Sequence, residues 1–353
     1  MEALDIPLPR ENHRLFGHDS AEAALFEACK AGRLHHSQLF AGPRGIGKST
    51  LAYRLARHLL KVEMSGGLFE LNLHETQGFN VLPEDSVFKE IAAGGHPALR
   101  IVERKRNLDT GKTARDITVG DIRELSDFFR MTTVAGGWRV AIVDPADAMN
   151  QNAANALLKI LEEPPERSVI ILISHAPGQL LPTIRSRCNV LHMSPPRPEE
   201  FMIALEALKL FTPKRDHDLL AELSAGSIGD AVTLLQLDGL TIYRKICSLI
   251  DRRIGGFDTE LHAFGDQLAQ NGQEDAFELF ARLMQRVIGD KIVLIARQGA
   301  MAQAGGELDR WLDVWEKVRV LLSQAVRLGL DRKHVVLNAF SHVSSVVAGP
   351  GTR

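Results

Sequence analysis

The sequence predicts an α/β fold built on a parallel sheet that carries helices on both faces. Apolar runs of strand length, such as VAIVD and SVIILIS, alternate with segments whose apolar residues recur at helical spacing. A glycine-rich loop, GPRGIGKST, stands between a short strand and an apolar-striped helix. After the proline-rich stretch SPPRPEE the pattern is helical to the end of the chain. A doubly wound sheet domain followed by helical domains is therefore expected.

The first predicted elements surround the glycine loop. A serine start and helical apolar spacing predict a helix over residues 20–34. SQLFA, residues 37–41, predicts the strand that enters the loop, and residues 49–61 predict the helix that leaves it. Residues 62–99 are rich in glycine and polar residues with weak periodicity, so we interpret them as a variable insertion and assign no elements there apart from the strand that starts near residue 96.

The remaining elements of the sheet domain follow in strict alternation. The helix after the insertion opens on Thr-x-x-Asp, which is typical of a capping box. The next strand is a near-continuous apolar run, as expected for a buried parallel strand. The helix after that ends at a proline pair. In order, these elements are a strand over 96–106, a helix over 118–131, a strand over 138–144, a helix over 149–164 and a strand over 168–174.

Length and composition limit the organisation and the class of the protein. A chain of 353 residues is long for one core, and we predict domains over 1–195, 196–240 and 241–353. Lys and Arg total 42 against 44 Asp and Glu, which argues against a general polybasic nucleic-acid binder. Three distant cysteines indicate neither a zinc site nor a disulfide framework, and no apolar run approaches a membrane span. We expect reduced thiols and a cytoplasmic location with no membrane partner.

The glycine loop matches the full phosphate-binding pattern G-x-x-x-x-G-K-[ST]. Glycines let backbone N–H groups turn toward a phosphate, and the following helix directs its positive end at the anion. The lysine would reach the outer phosphates, and the serine hydroxyl is a Mg²⁺ ligand. A chance glycine turn and an inherited loop that holds no nucleotide are the alternatives. The candidate binding residues are Gly42, Pro43, Arg44, Gly45, Ile46, Gly47, Lys48, Ser49 and Thr50.

A second candidate feature is the acidic end of the strand 138–144. Asp144 stands where a Mg²⁺-organising carboxylate is expected. Pro145 follows it, and proline has neither a carboxylate nor an N–H, so it is unable to act as a general base. Asp147 is interpreted as the cap of the next helix in preference to a catalytic acid. The pattern predicts a site that binds nucleotide and hydrolyses it poorly.

Two further motifs carry a resemblance to a known family. NAANALLKILEEPP (152–165) and LLPTIRSRC (180–188), together with the glycine loop, resemble the AAA+ clamp-loader family of replicative DNA polymerases, most of all its delta-prime branch. The resemblance covers the first 240 or so residues. It implies an AAA+ P-loop domain with a parallel sheet, a small helical lid and a C-terminal helical collar. It also implies ATP or ADP with Mg²⁺, gamma/tau and delta-type partners in a hetero-oligomer, and the sliding clamp and primed DNA through that complex.

The resemblance assigns roles to single residues. Arg187, the arginine of Ser-Arg-Cys, matches the residue that reaches in trans to the γ-phosphate of a neighbouring subunit; an ordinary ion pair is the alternative. Ser174 matches the polar residue that senses the γ-phosphate. Gly229 stands where active loader ATPases carry a lid arginine. No cysteine lies between residues 30 and 187, so we expect no zinc site where some delta-prime chains have one.

Other functions stay open at this stage. A self-sufficient homo-oligomeric AAA+ ATPase would keep the intact loop but is opposed by Pro145 and Gly229. A kinase-like P-loop enzyme lacks an acceptor-binding signature. The basic stretch 100–115 is interpreted as a solvated loop in preference to a DNA contact.

Overall fold

The structure, a computed structural model, describes residues 6–64, 78–105, 113–130, 137–210, 212–252, 258–299 and 305–347. The chain divides into two compact units, Met1–Ala231 and Val232–Arg353. The first unit contains the sheet and the second is helical. The basic loop of residues 106–112 and much of the predicted insertion, residues 65–77, lie outside the described residues.

In the part of the first unit that the structure describes, five parallel strands form one sheet in the order β2-β3-β4-β1-β5. The sequence predicted two of these strands at their observed bounds: SQLFA, which enters the glycine loop, and SVIILIS. The predicted strand 96–106 is reduced to four residues, and the strand at the β5 edge was not predicted. The strands are β1 (Ser37–Ala41), β2 (Leu99–Val102), β3 (Arg139–Val143), β4 (Ser168–Ser174) and β5 (Asn189–His192).

Helices connect the strands and extend beyond the sheet, which confirms the predicted α/β class. The proline pair ends α5 within two residues of the expected position, and a short unpredicted helix, α3, lies in the segment left unassigned. Ala225 and Gly226, both with positive φ, separate α8 from α9. The helices are α1 (Asp19–Lys30), α2 (Lys48–Met64), α3 (Ser86–Ala92), α4 (Val119–Arg130), α5 (Gln151–Glu162), α6 (Pro182–Arg185), α7 (Pro198–Ala207), α8 (Lys214–Ser224) and α9 (Ile228–Gln236).

The two faces of the sheet bury separate apolar clusters because side chains alternate along each strand. One face joins Phe40, Ile142 and Ile171 to the apolar side of α2. The opposite face joins Leu39 and Leu172 to α4 and α5. All the strand residues named here are fully buried. Burial on both faces explains why β3 and β4 are near-continuous apolar runs.

The strand register brings the carboxyl ends of four strands, β1, β3, β4 and β5, to the same edge of the sheet. Ala41, the last residue of β1, pairs with Ser174 at the end of β4 and with His192 at the end of β5. Val143 at the end of β3 pairs with Leu172. Residues that follow these strands therefore gather at one edge of the sheet, where open α/β sheets bind ligands.

Within its described residues, the second unit contains the end of α9 and five further helices. Phe280 packs edge-on to Phe264 and close to Phe340, so residues from three helices meet in its apolar centre. No helix among the described residues is long and apolar enough to cross a membrane. The helices are α10 (Gly239–Asp251), α11 (Thr259–Ala269), α12 (Glu274–Gly299), α13 (Gly305–Leu328) and α14 (Arg332–Val347).

Candidate functional site

The glycine loop joins the end of β1 to the start of α2, as the sequence predicts. Lys48, the first residue of α2, is only 3% exposed and folds back over the loop. Its Nζ donates a hydrogen bond of 2.6 Å to the carbonyl oxygen of Gly42 and another to that of Pro43. Burial lowers the pKa of the Lys48 ammonium to about 8, while Asp144 and Asp147 act in the opposite direction. An incoming phosphate would offer this lysine a better partner than two neutral carbonyls.

Gly42 has no room for a side chain. Its φ is +157°, and a Cβ added there would lie 2.1 Å from the carbonyl oxygen of Met193. Met193 follows β5 directly, and its N–H donates to the carbonyl oxygen of Ala41. The close approach of two backbones therefore requires glycine at the start of the loop.

Ser49 and Asp144, the two predicted Mg²⁺ ligands, lie side by side. The Ser49 hydroxyl donates a 2.6 Å hydrogen bond to Oδ2 of Asp144, although 95 residues separate them in sequence. One hydroxyl and one carboxylate suit Mg²⁺, which normally keeps several waters and takes substrate phosphate oxygens as further ligands. No group of three or more His, Cys, Asp or Glu side chains within the described ranges is placed to hold a metal by itself. The pair therefore fits a metal that arrives with a nucleotide.

The role predicted for Asp147 is wrong. Asp147 lies in a 3₁₀ helix, Ala146–Ala148, and the cap of α5 is Asn150, whose side chain accepts from the N–H of Ala153. The Asp147 carboxylate instead accepts from the Ser174 hydroxyl and from the N–H groups of His175 and Ala176. It fastens the loop after β4, and three donors leave it little capacity to take a proton from water.

Ser174, the predicted phosphate sensor, is fully buried at the end of β4. Its hydroxyl donates to Asp147 at 2.5 Å, so its one proton is committed to that carboxylate.

The neighbouring His175 was missed by sequence reasoning. Its buried Nδ1 has no hydrogen-bond partner among the described residues. Burial, followed by the charge of Lys48, lowers the pKa of His175, so a neutral imidazole lies beside the phosphate loop.

Arg187 lies apart from these groups, between α6 and the edge strand β5. Its guanidinium pairs with Glu162 at 2.8 Å and donates to the carbonyl oxygen of Thr183. The side chain is 37% exposed. The intramolecular ion pair weighed as the alternative for Arg187 is therefore present in the isolated chain. Exposed pairs of this kind are worth at most about 1 kcal/mol, so a stronger anion would displace Glu162.

Two basic residues in the described part of the stretch 100–115 form ion pairs with neighbouring acids. Arg100 pairs with Glu124 at 2.8 Å, and Lys105 pairs with Asp121 at 2.7 Å. Both acids belong to α4. Whether the stretch 100–115 is a solvated loop or a DNA contact stays a prediction, since residues 106–112 lie outside the described residues.

Comparison with known proteins places the chain in a family. The family model described as "DNA polymerase III, delta subunit" matches residues 17–197, slightly more than half of the chain. The matched part begins just before α1 and ends after β5, so it contains the phosphate loop, Asp144 and Arg187.

Curated relatives of the chain are named as subunits of DNA polymerase III. The chain is 35% identical to the DNA polymerase III subunit delta′ of Pseudomonas aeruginosa PAO1 over 61% of its length, and 31% identical to that of Escherichia coli K12 over 64%. These matches span only 60% and 62% of the relatives' own lengths. A solved DNA polymerase III gamma subunit-related protein from Thermotoga maritima covers 91% of this chain and 99% of its own, with 19% identity and a TM-score of 0.46. The family model and the curated relatives show that the chain belongs to the DNA polymerase III delta subunit family of clamp-loader proteins, close to its delta-prime members.

Proposed function

We propose that this chain is a clamp-loader subunit of the delta-prime type that holds a Mg²⁺-bound adenine nucleotide without hydrolysing it efficiently. The observation that carries this proposal is the intact Ser49–Asp144 pair followed directly by Pro145. The pair supplies the metal-binding half of a nucleotide site. The catalytic half is missing because proline has no carboxylate and the Asp147 carboxylate already accepts three hydrogen bonds from Ser174 and the loop after β4.

A second part of the proposal concerns Arg187. Its place beside an edge strand and its partial exposure make it accessible to a neighbouring subunit. A rigid planar guanidinium delivered in trans offsets the charge that accumulates on a transferred phosphoryl group. The partners are gamma/tau and delta-type subunits in a hetero-oligomer, and the complex acts on the sliding clamp and primed DNA. The helices of the second unit are the proposed collar.

Reconstitution with partner subunits, clamp and primed DNA tests both parts. Arg187→Ala is expected to slow hydrolysis at the adjoining site by about 10³-fold or more, the scale of an arginine finger. Arg185→Ala is the matched control, since Arg185 is exposed and lies two residues away. Equal rates for both variants would refute the role in trans.

The isolated chain provides a separate test. We expect Mg-ATP binding by titration calorimetry and negligible turnover. Brisk turnover by the pure chain, abolished by Lys48→Ala, would instead establish a self-sufficient homo-oligomeric ATPase. A flat titration would show that the loop holds no nucleotide.

A further inference from the structure

The outward carbonyl oxygens of the phosphate loop are held by donors from outside the loop. The Ser227 hydroxyl donates to the carbonyl oxygen of Arg44 at 2.8 Å. The N–H of Gly229 donates to the carbonyl oxygen of Gly45 at 2.8 Å. Nε2 of His18 lies 2.6 Å from the carbonyl oxygen of Ile46 and carries the proton, because a carbonyl only accepts. The carbonyl oxygens of three consecutive loop residues, Arg44, Gly45 and Ile46, thus accept hydrogen bonds from outside the loop.

The donors come from two distant parts of the first unit. His18 precedes α1, whereas Ser227 and Gly229 lie at the start of α9. His18 and Ser227 are 4% and 2% exposed, so water does not compete freely for these bonds. Ser227 also accepts from the N–H of Asp230, which ties its hydroxyl to the first turn of α9. Each donor is therefore fixed by its own element.

Gly229 meets the loop without space for a side chain. A Cβ at this position would lie 2.8 Å from Cα and 3.1 Å from the carbonyl oxygen of Gly45. The reverse also holds, since a Cβ on Gly45 would lie 3.0 Å from Cα of Gly229 and 2.5 Å from Oγ of Ser227. Backbone atoms are unable to move aside as the end of a flexible side chain does, so the contact requires glycine on both sides.

We propose that His18, Ser227 and Gly229 form a bracket that holds the phosphate loop in its anion-binding shape before any nucleotide arrives. Holding the carbonyl oxygens on the outside presents the loop N–H groups to the inside, as a phosphate nest requires. These three are positioning residues: they act on phosphate through the loop. The bracket requires glycine at position 229, which is also the position where active loader ATPases carry a lid arginine. An arginine placed at 229 would separate α9 from the loop.

Hydrogen exchange of loop peptides spanning residues 42–47, measured on the full chain without nucleotide, tests the bracket. Loss of one buried hydrogen bond should speed loop exchange by about threefold to tenfold in Ser227→Ala and His18→Leu. Ser227→Thr and His18→Gln retain a donor and should stay near wild type. Gly229→Ala and Gly229→Arg should both speed exchange. Gly95→Ala is the matched glycine control, because no atom lies within 4 Å of its added Cβ.

A second readout separates this inference from the nucleotide binding on which it rests. Mg-ATP should bind the bracket variants more weakly by the same factor, with little change in the melting temperature of Ser227→Ala. Loop exchange within twofold of wild type in Ser227→Ala and Gly229→Ala would overturn the bracket. Tighter ATP binding by Gly229→Arg would also overturn it. If the wild type binds no ATP, the proposed nucleotide function fails, while the exchange experiment still decides the bracket.

Discussion

Acid sensitivity of the first unit depends on His58 in α2. Its ring packs against Phe26 and Phe79, with centroid distances of 5.4 and 5.0 Å. Burial lowers the pKa of His58 to about 4, although Glu22 acts in the opposite direction. The folded state therefore holds a neutral ring, while the unfolded chain binds a proton near pH 6.5. The contribution of His58 to stability is complete above pH 6.5 and is lost as the pH falls toward 4.

The magnitude follows from the two pKa values. Lowering the pH from 6.5 to 5 costs about 1.36 kcal/mol per pH unit, or ~2 kcal/mol of unfolding free energy. The free energy of unfolding of a domain is typically about 5–15 kcal/mol, so this loss is a large part of the total stability. His58→Phe removes the titrating group and keeps an aromatic ring packed against Phe26 and Phe79. We therefore expect the variant to lose ~2 kcal/mol less than wild type between pH 7 and pH 5.

Urea unfolding at the two pH values measures this difference. His192→Gln is the control, because it replaces an exposed histidine on the edge strand β5. An equal loss of stability in wild type and His58→Phe would refute the argument. The comparison isolates one residue, since the other buried histidines are common to both proteins.

Three further predictions concern the loop and its supports. Lys48→Ala should weaken Mg-ATP binding roughly 100-fold by calorimetry, since a charge-assisted contact to phosphate is lost; an unchanged affinity would show that Lys48 does not meet the nucleotide. Gly42→Ala should lower the thermal midpoint by several degrees, about 4 °C per kcal/mol, because its Cβ meets Met193, whereas Gly95→Ala should not. Asn150→Ala should lose about 1 kcal/mol in urea unfolding by removing the cap of α5; equal stability would discount the cap.

Local patterns were sufficient for the buried parallel strands and the loop between them. SVIILIS is apolar at nearly every position because both of its faces are covered, so the strand at 168–174 was predicted at its observed bounds. The edge strand β5, Asn189–His192, was missed because it is only partly buried and carries no apolar run. A strand of four residues with mixed exposure has no sequence pattern that distinguishes it from a loop.

The sequence by itself determined the α/β class, the composition of the phosphate loop and the loss of an acid after Asp144, because each depends on residues adjacent in the chain. Tertiary structure alone decided which groups meet across the sheet edge. It assigned Asp147 to the loop after β4 instead of to α5. It also brought Ser227 to Arg44, 183 residues away. Such contacts depend on strand register and on backbone approach at glycines, and neither leaves a periodic signal in the sequence.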